Sequence, residues 1–446
     1  MNKIKITALL FFAVFLTKAQ TNPSEFSLQG AIDYAIKNSS LTANAEVDAL
    51  SAKYKKNEIV GLGLPQISGS ADAKDYLKVP VVGLGSFAPG TPMTPLRFGL
   101  QYAVTPSISA SQLLFSSDYI IGVKAAKQLL LLSEKSTLRT KSEVALSISK
   151  AYYMALVNRE RIKLLDANVV RLKKLLDDTR AYNQQGFVEK IDVDRLEVTY
   201  NNLMTEKEKT ERLVLLSETL LKFQMGYKMT DPIVLTDKLD AEQQSALALG
   251  DKINYENRPE YSLMQTQRIL NELDVKRNKM AYLPTLVGYA NVGYNGYNSK
   301  FDFWSSKNVT PLGNLYSYGI VGATLNIPIF DGLQKHWKIQ QAKMALVKTN
   351  NTAKSLESLI EFEVQSASVQ YQNAQSSVEA QKKNMALAQN IFDVSEKKYQ
   401  QGVGSNIEIV NAQTSLKEAQ TNYYNALYDL LVAKIDYQKA TGTLVK

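Results

Sequence analysis

Residue types that commonly carry out catalytic or metal chemistry are scarce in this sequence. It contains no cysteine and one histidine, His336. The lack of cysteine excludes disulfides, thiolate metal sites and a cysteine nucleophile, and a single histidine argues against a His-based metal site or catalytic triad. His336 stands beside Trp337 near a predicted helix start, where packing or surface exposure accounts for it. The sequence offers no nucleophile–base or metal constellation, so we expect no enzyme activity and no cofactor.

The first 19 residues have the features of a secretory signal peptide. Lys3 and Lys5 precede an apolar stretch at about 6–16, and small residues at positions 17 and 19 suit cleavage after Ala19. The apolar stretch is about half of the ~20 residues that a membrane-spanning helix needs. We therefore predict that the protein is exported.

The positive charge of the chain is spread out rather than concentrated. The formal net charge is +9, and the lysines are scattered along predicted helices that also carry glutamates. This distribution is typical of solvated helix faces. Together with export, it leads us to expect no nucleic-acid partner.

Long helices with a coiled-coil seam dominate the pattern. Residues 118–182 and 333–400 show apolar or small residues in alternating steps of four and three, and a shorter helix is predicted at 191–225. About 65 such residues would make a rod roughly 100 Å long. The last helix ends before Gly442, and alanine takes every second place in its seam, which suits close helix packing. Its seam residues are Ala412, Leu416, Ala419, Tyr423, Ala426, Leu430, Ala433 and Tyr437.

The chain repeats itself at an offset of about 216 residues. Leu64-Pro65 matches Leu283-Pro284, and the Gly186 and Gly226 positions match Gly402 and Gly442. We predict a signal peptide at 1–19 and two repeats. The first repeat, 20–256, contains a helix (about 26–61), a strand pair at 66–115 with a loop at 79–95, a helical hairpin at 118–226 and a connector at 227–256. The second repeat, 257–446, contains a helix, a strand pair at 285–330 and a helical hairpin at 333–442.

The predicted strands alternate between apolar and polar or small residues, as in a wall with lipid on one side and water on the other. Strands of about ten residues can cross an outer membrane when tilted. Four strands cannot close a barrel, and open edges are not tolerated in lipid, so closure requires several copies. Three copies would give twelve strands. The remaining alternative is a soluble sheet beside a coiled coil.

Several segments, in this order, resemble the TolC family of outer-membrane efflux proteins. They are FVEKIDVDRLEV at 187–198, NRPE at 257–260 and KATGTL at 439–444, combined with the signal peptide and the two tandem halves. The resemblance covers essentially the whole chain after the signal peptide. It implies a mixed α/β membrane protein, an all-antiparallel trimeric 12-stranded transmembrane β-barrel continuous with a long 12-helix periplasmic α-barrel.

The same resemblance implies a function and a set of partners. The protein would be an outer-membrane exit duct of a tripartite efflux or type I secretion system, in contact with outer-membrane lipid and extending far into the periplasm. It would passively conduct substrates delivered by a periplasmic adaptor (membrane fusion) protein and an inner-membrane pump of the RND, ABC or MFS class. The alternative function is a trimeric coiled-coil structural or adhesive cell-surface protein without transport. Duplicated strand pairs favour the duct, because an adhesin stalk has no need of them.

Two glycine-containing turns separate the helices of the two hairpins. Glycine permits a positive φ after a helix. The resemblance implies that these turns form the periplasmic tip, where the coils close and the adaptor binds. We expect Phe187 and Val188 to be exposed contact residues. The turns are Gly186-Phe187-Val188 and Gly402-Val403-Gly404.

The resemblance also places a periplasmic gate near the tip. The inner-facing aspartate pair of the family falls on Glu408 and Asn411. Three copies of Glu408 would make a ring of negative charge that favours cations. Because Asn411 is neutral, one acidic ring is expected in place of two.

A link between coils would hold the gate closed. The family's tyrosine–aspartate link falls on Tyr399 and Asp192, and the arginine of that network falls on Gly404. We therefore expect a weaker lock, or one rebuilt with another residue such as Arg195. For all of these gate residues, the alternative interpretation is an ordinary solvated helix surface.

Overall fold

The computed structural model describes residues 25–84, 94–97, 100–239, 250, 253–303 and 315–444. The predicted signal peptide at 1–19 lies outside these residues. The first half of the chain contains β1 (Glu25–Phe26), α1 (Leu28–Asn38), α2 (Ser40–Gly61), β2 (Gln66–Asp75), β3 (Val81–Leu84), β4 (Thr94–Arg97), β5 (Tyr102–Phe115), α3 (Ser117–Gln184), α4 (Lys190–Met225) and β6 (Val234–Leu235). The second half contains α5 (Pro259–Met280), β7 (Thr285–Asn298), β8 (Leu315–Asn326), α6 (Gln334–Gln400) and α7 (Asn406–Thr441), and a short 3₁₀ helix (Tyr255–Asn257) precedes α5.

The long helices reflect an uninterrupted seam. α3 and α6 run for 68 and 67 residues without a proline, and α4 and α7 have 36 residues each. α4 ends where Gly226 adopts a left-handed conformation, and Gly442 does the same after α7. None of the helices in the described segments combines the length and the apolar character that crossing a membrane requires.

Two local predictions were wrong. The single helix expected over about 26–61 is broken at Ser39, whose backbone is extended while its N–H still bonds the Ala35 carbonyl. Asparagine and serine side chains compete with the helix for backbone hydrogen bonds, which explains the break. The loop expected at 79–95 contains β3 and begins β4, which pair antiparallel. Its proline and glycine residues obscured these short strands.

The described residues divide into two compact units, and each takes segments from both predicted repeats. The described residues of the first unit are 25–39, 144–239 and 370–435. Those of the second are 40–84, 94–97, 100–143, 250, 253–303, 315–369 and 436–444.

The core of the first unit is a seam between helices. Its fully buried members include Leu196 of α4, Phe392 of α6 and Leu416 of α7. Near the N-terminal end of the described chain, β1 pairs in parallel with β6. There the Tyr152 hydroxyl donates to the Phe26 carbonyl oxygen at 2.9 Å. Burial raises the pKa of Tyr152, so that its hydroxyl remains a donor.

The second unit contains a four-stranded sheet in the order β2-β5-β7-β8, with every neighbouring pair antiparallel. Its register shifts once, at a bulge between Leu113 and Phe115. In the same unit, the buried guanidinium of Arg258 donates to the Ala440 carbonyl oxygen at 2.9 Å and to Glu363 at 2.8 Å. These bonds account for the arginine of the 257–260 segment.

Candidate functional site

One face of the four-stranded sheet is apolar. Residues opposite each other in neighbouring strands share a face, and that face recurs every second residue. One row across all four strands contains Ile67, Ala110, Ala290 and Val321, and the next contains Gly69, Ile108, Val292 and Gly319. In the isolated chain Ile67 is 74% exposed and Val321 is 86% exposed. This face therefore presents aliphatic side chains that the chain itself does not cover.

The opposite face of the sheet carries hydroxyl and amide groups. The Asn291 amide donates to the Ser109 hydroxyl at 2.8 Å, and the Ser70 and Ser107 hydroxyls lie 3.1 Å apart. The two polar rows that alternate with the apolar ones are Ser68, Ser109, Asn291 and Ile320, then Ser70, Ser107, Gly293 and Tyr318. The sheet thus separates an aliphatic surface from a hydrogen-bonding surface.

The edges of this sheet are free in the described residues. β2 pairs only with β5, and β8 pairs only with β7. The four strands have 10, 14, 14 and 12 residues, which is long enough to cross an outer membrane when tilted. Each edge therefore presents a long row of backbone donors and acceptors for another strand.

The predicted tip turns have matching geometry. Gly186 and Gly402 adopt φ values of +78° and +74°. The N–H after each glycine bonds back to the preceding helix, from Phe187 to Tyr182 and from Val403 to Lys398. Phe187 is 76% exposed and Val403 is 75% exposed.

Two predicted tip residues differ from that pattern. Val188 is half-buried, and its carbonyl oxygen accepts a hydrogen bond from Asn183. The expectation of an exposed Val188 was therefore wrong. A Cβ added at Gly404 would lie 2.9 Å from the Tyr399 nitrogen and from Lys398 Cβ. This close approach explains why glycine, and no arginine, occupies that position.

Most of the predicted tip and gate residues surround one open cavity of about 670 Å³ between the two turns. Its lining includes Phe187, Asp192, Arg195, Tyr399, Gly404 and Asn406. Asn406 is buried, and its amide donates to the Asp192 carbonyl oxygen at 3.0 Å. Its own side-chain oxygen lacks a hydrogen-bond partner in the described structure. Asn406 was not singled out from the sequence, because the capping signal at this helix start belongs to the neighbouring Ser405.

The predicted bond between Tyr399 and Asp192 is replaced by other contacts. The Tyr399 hydroxyl lies 3.3 Å from the Thr179 hydroxyl in a buried position. Asp192 instead faces Arg195 on its own helix, with Oδ1 3.5 Å from Nη1. Because Asp192 and Arg195 belong to the same helix, this pair does not link two coils, and the rebuilt lock stays a prediction.

Glu408 is also paired. Its carboxylate lies 3.4 Å from Lys398 Nζ and 3.5 Å from the Ser395 hydroxyl, and both partners belong to α6. Its backbone N–H donates to the hydroxyl of Ser405, the residue that caps the start of α7. The negative charge expected from Glu408 therefore has a positive partner within the same hairpin. Asn411 is exposed.

Another carboxylate near the open cavity is that of Glu396, one helical turn before Tyr399. Burial raises the pKa of Glu396 above its ordinary value, and the nearby Asp393 adds to the rise while Arg171 opposes it. Arg171 also lies 5.3 Å from the centre of the Phe392 ring. Across the described residues, no group of three or more His, Cys, Asp or Glu side chains could hold a metal ion.

Comparison with known proteins identifies the family. Residues 255–443 match the family model described as outer membrane efflux protein. These residues belong to the outer membrane efflux protein family. The family predicted from the sequence is therefore confirmed.

Relatives that resemble this chain cover most of its length. The outer membrane protein TolC of Vibrio cholerae is 20% identical over 344 residues, which are 76% of this chain and 77% of the relative. The crystal structure of CusC has a TM-score of 0.74 at 15% identity and covers 93% of this chain and 91% of CusC. VceC of Vibrio cholerae has a TM-score of 0.70 at 14% identity and covers 93% of this chain and 96% of VceC. These structures share the mixed α/β fold.

Proposed function

We propose that this efflux-family protein is an exit duct in the cell outer membrane. The observation that carries the proposal is the two-faced sheet. Its aliphatic face suits lipid, and its face of hydroxyl and amide groups suits a water-filled lumen, as in membrane β-barrels. A soluble sheet would bury the aliphatic face against its own chain, whereas Val321 and Ile67 remain largely exposed.

Closure of the duct requires other copies of the chain. The open edges of β2 and β8 cannot remain unpaired in lipid. Because β2 and β8 run in opposite directions, β8 of one copy can pair antiparallel with β2 of the next. A homotrimer then has twelve strands, within the known range of membrane barrels. The four long helical segments of each copy form a twelve-helix periplasmic barrel that continues the duct.

The duct receives its cargo from partners. A periplasmic adaptor contacts the tip formed by the two turns, and an inner-membrane pump of the RND, ABC or MFS class drives transport. The exposed side chains of Phe187 and Val403 support this role, since large apolar residues on a turn suit a docking surface. The protein itself conducts passively and performs no catalysis.

The gate lies beside this tip. The pairs Asp192–Arg195 and Lys398–Glu408 surround the entrance, with Tyr399 behind them and Asn411 further along α7. Tyr399→Phe removes a contact between α6 and α3, and Asp192→Ala removes the carboxylate that pairs with Arg195 at the entrance, so we expect each variant to increase conductance. Unchanged conductance in both variants would remove this account of the lock.

Recording from purified protein in planar bilayers tests the duct. We expect discrete ionic conductance from a trimer, and a larger conductance from the gate variants. A purified trimer without conductance under any condition, gate variants included, would overturn the duct and favour the coiled-coil surface protein.

A further inference from the structure

The alternation of aliphatic residues continues in the sequence beyond the end of β8. Val321 and Leu325 lie on the aliphatic face of the sheet, and aliphatic residues follow at the same two-residue spacing at Ile327 and at Ile329, which is 93% exposed. Phe330 follows and is also exposed. Exposed apolar residues therefore connect the end of β8 with the start of α6.

The turn before α6 is strained. Gly332 and Leu333 both adopt positive φ, and Leu333 is the only non-glycine residue that does so in the described part of the chain. A branched side chain rarely adopts this conformation. Leu333 is exposed, so burial against its own chain does not compensate the strain. Strain of this kind often marks a functional position.

The first turn of α6 combines aromatic and cationic side chains. Trp337 is 58% exposed and meets the His336 ring edge-on at 5.0 Å. Lys335 Nζ lies 5.5 Å from the centre of the Tyr282 ring and 3.5 Å from the Asp331 carboxylate. Lys338 is exposed.

The positive charge at the start of α6 does not stabilise the helix. The first 22 residues of α6 contain five lysines and no aspartate or glutamate. Cations at the start of a helix oppose its dipole. They also disfavour a second copy of the same surface as the occupant, because like charges would meet. An anionic partner beside an apolar layer fits both the charge and the exposed side chains.

We propose that residues 327–338, the junction segment, bind phospholipid headgroups in the membrane leaflet nearest the helices. Ile329, Phe330 and Leu333 enter the acyl-chain region, and Trp337 lies at headgroup level, where indoles are favoured. Lys338 interacts with the phosphate. This inference rests on the proposed function, since it needs the sheet to lie in a bilayer. At the offset of 215 residues, Gly122 stands where Trp337 does, so the site belongs to the second repeat alone.

Depth-dependent fluorescence quenching tests the site. In a Trp304→Phe background, Trp337 is the only remaining tryptophan. The full-length protein is reconstituted into vesicles of phosphatidylcholine and phosphatidylglycerol that carry bromine either near the headgroup or near the chain end. We expect stronger quenching by the shallow bromine than by the deep one. Quenching only by aqueous iodide would overturn the proposal. Emission that neither brominated lipid nor iodide quenches would also overturn it, because burial of Trp337 by a second copy would produce that result.

Two control variants separate this inference from the proposed function. In a background with Trp304→Phe and Trp337→Phe, Val321→Trp reports on the sheet and Phe187→Trp reports on the tip. We expect bromine to quench the first and to leave the second unaffected. If Val321→Trp is quenched while native Trp337 is not, the junction proposal alone fails. If Val321→Trp is not quenched, the membrane location of the sheet fails as well.

The headgroup contact has its own readout. Comparing brominated phosphatidylglycerol with brominated phosphatidylcholine gives the relative preference of Trp337 for the anionic lipid. Lys338→Gln should reduce this preference about fivefold, which corresponds to one lysine near an anionic surface, and Lys338→Arg should retain it. An unchanged preference in Lys338→Gln would exclude the phosphate contact.

Discussion

At the scale of single residues, the region near the tip is a set of paired charges. Glu408 lies 3.4 Å from Lys398, and both side chains are about half-exposed. A pair of this kind contributes little to stability. Its effect on a passing ion is different, because a carboxylate beside an ammonium attracts cations less than a carboxylate alone.

Lys398→Gln should therefore increase the preference of the duct for cations by about two- to fivefold, since screening by salt limits the effect of one charge. Glu408→Gln should reduce the same preference. Reversal potentials in planar bilayers under a salt gradient measure both. Lys397→Gln removes a neighbouring exposed lysine and serves as the matched control. Equal shifts in Lys397→Gln and Lys398→Gln would show that only the total charge matters.

A second residue-scale prediction concerns the Tyr399 hydroxyl. Tyr399→Phe and Thr179→Val each remove one side of the 3.3 Å contact, and each should lower the free energy of unfolding by about 1 kcal/mol. The double variant should lose less than the sum, because both changes break the same contact. Chemical denaturation of the detergent-solubilised protein measures the cycle. Strict additivity would exclude this contact as the one that holds Tyr399.

The sequence allowed the two turns to be located but not the side-chain pairs near them. Gly186 and Gly402 were predictable because a glycine that ends a long helical pattern has few other uses. The resemblance to the family did not predict the contact of Tyr399 with Thr179. Thr179 and Tyr399 both occupy seam positions of their helices, so the heptad pattern was compatible with a contact between them. Which seam residues meet depends on the rotation of the two helices, and periodicity alone does not determine it.

At the scale of elements, helix ends are fixed by close backbone contacts. Gly226 follows α4, and a Cβ added there would lie 2.6 Å from the Asn38 carbonyl oxygen. Gly442 follows α7 and has the same relation to the Asn257 carbonyl oxygen, also at 2.6 Å. Both glycines therefore combine a positive φ with a space that excludes any side chain.

Gly226→Ala should reduce the free energy of unfolding by about 2–4 kcal/mol, because strain at positive φ and a steric clash add together. Gly186→Ala is the matched control, since Gly186 has a similar φ and no atom within 4 Å of an added Cβ. That variant should lose about 1–2 kcal/mol from strain alone. Thermal unfolding of the two variants compares them. A loss as large in Gly186→Ala as in Gly226→Ala would show that the Asn38 contact contributes nothing.

Element lengths were more predictable than element interruptions. The great length of α3 and α6 was predictable because neither segment contains a proline across nearly seventy residues. The break at Ser39 depends on a local competition for hydrogen bonds that a seam pattern does not report. The strands β3 and β4 are four residues each, too short for their alternation to stand out against proline and glycine.

At the scale of the whole molecule, the two faces of the sheet require different surroundings. Val321 and Ile320 are neighbours in β8, are both β-branched and lie on opposite faces. The alternation that separates them was visible in the sequence. The bulge near Leu113 was not, because it depends on the pairing of β5 with β7.

Val321→Lys should cost about 2–4 kcal/mol in lipid, as a lysine on the lipid face of a barrel does, and should reduce the yield of assembled protein in the outer membrane. Ile320→Lys places the same charge on the polar face and should leave assembly nearly unchanged. Heat-modifiable mobility of membrane fractions on gels compares the yields. If both variants assemble equally well, the assignment of the lipid face is wrong.

The free edges of β2 and β8 affect the chain before it assembles. In the described residues, each edge presents unpaired backbone groups beside an exposed aliphatic face. Such edges readily add strands from any neighbouring chain, which leads to aggregation. In the proposed assembly, a copy is therefore most vulnerable to aggregation before its edges pair with those of neighbouring copies. Chaperones that shield strand edges, and a low concentration of free copies, would determine how much protein reaches the membrane intact.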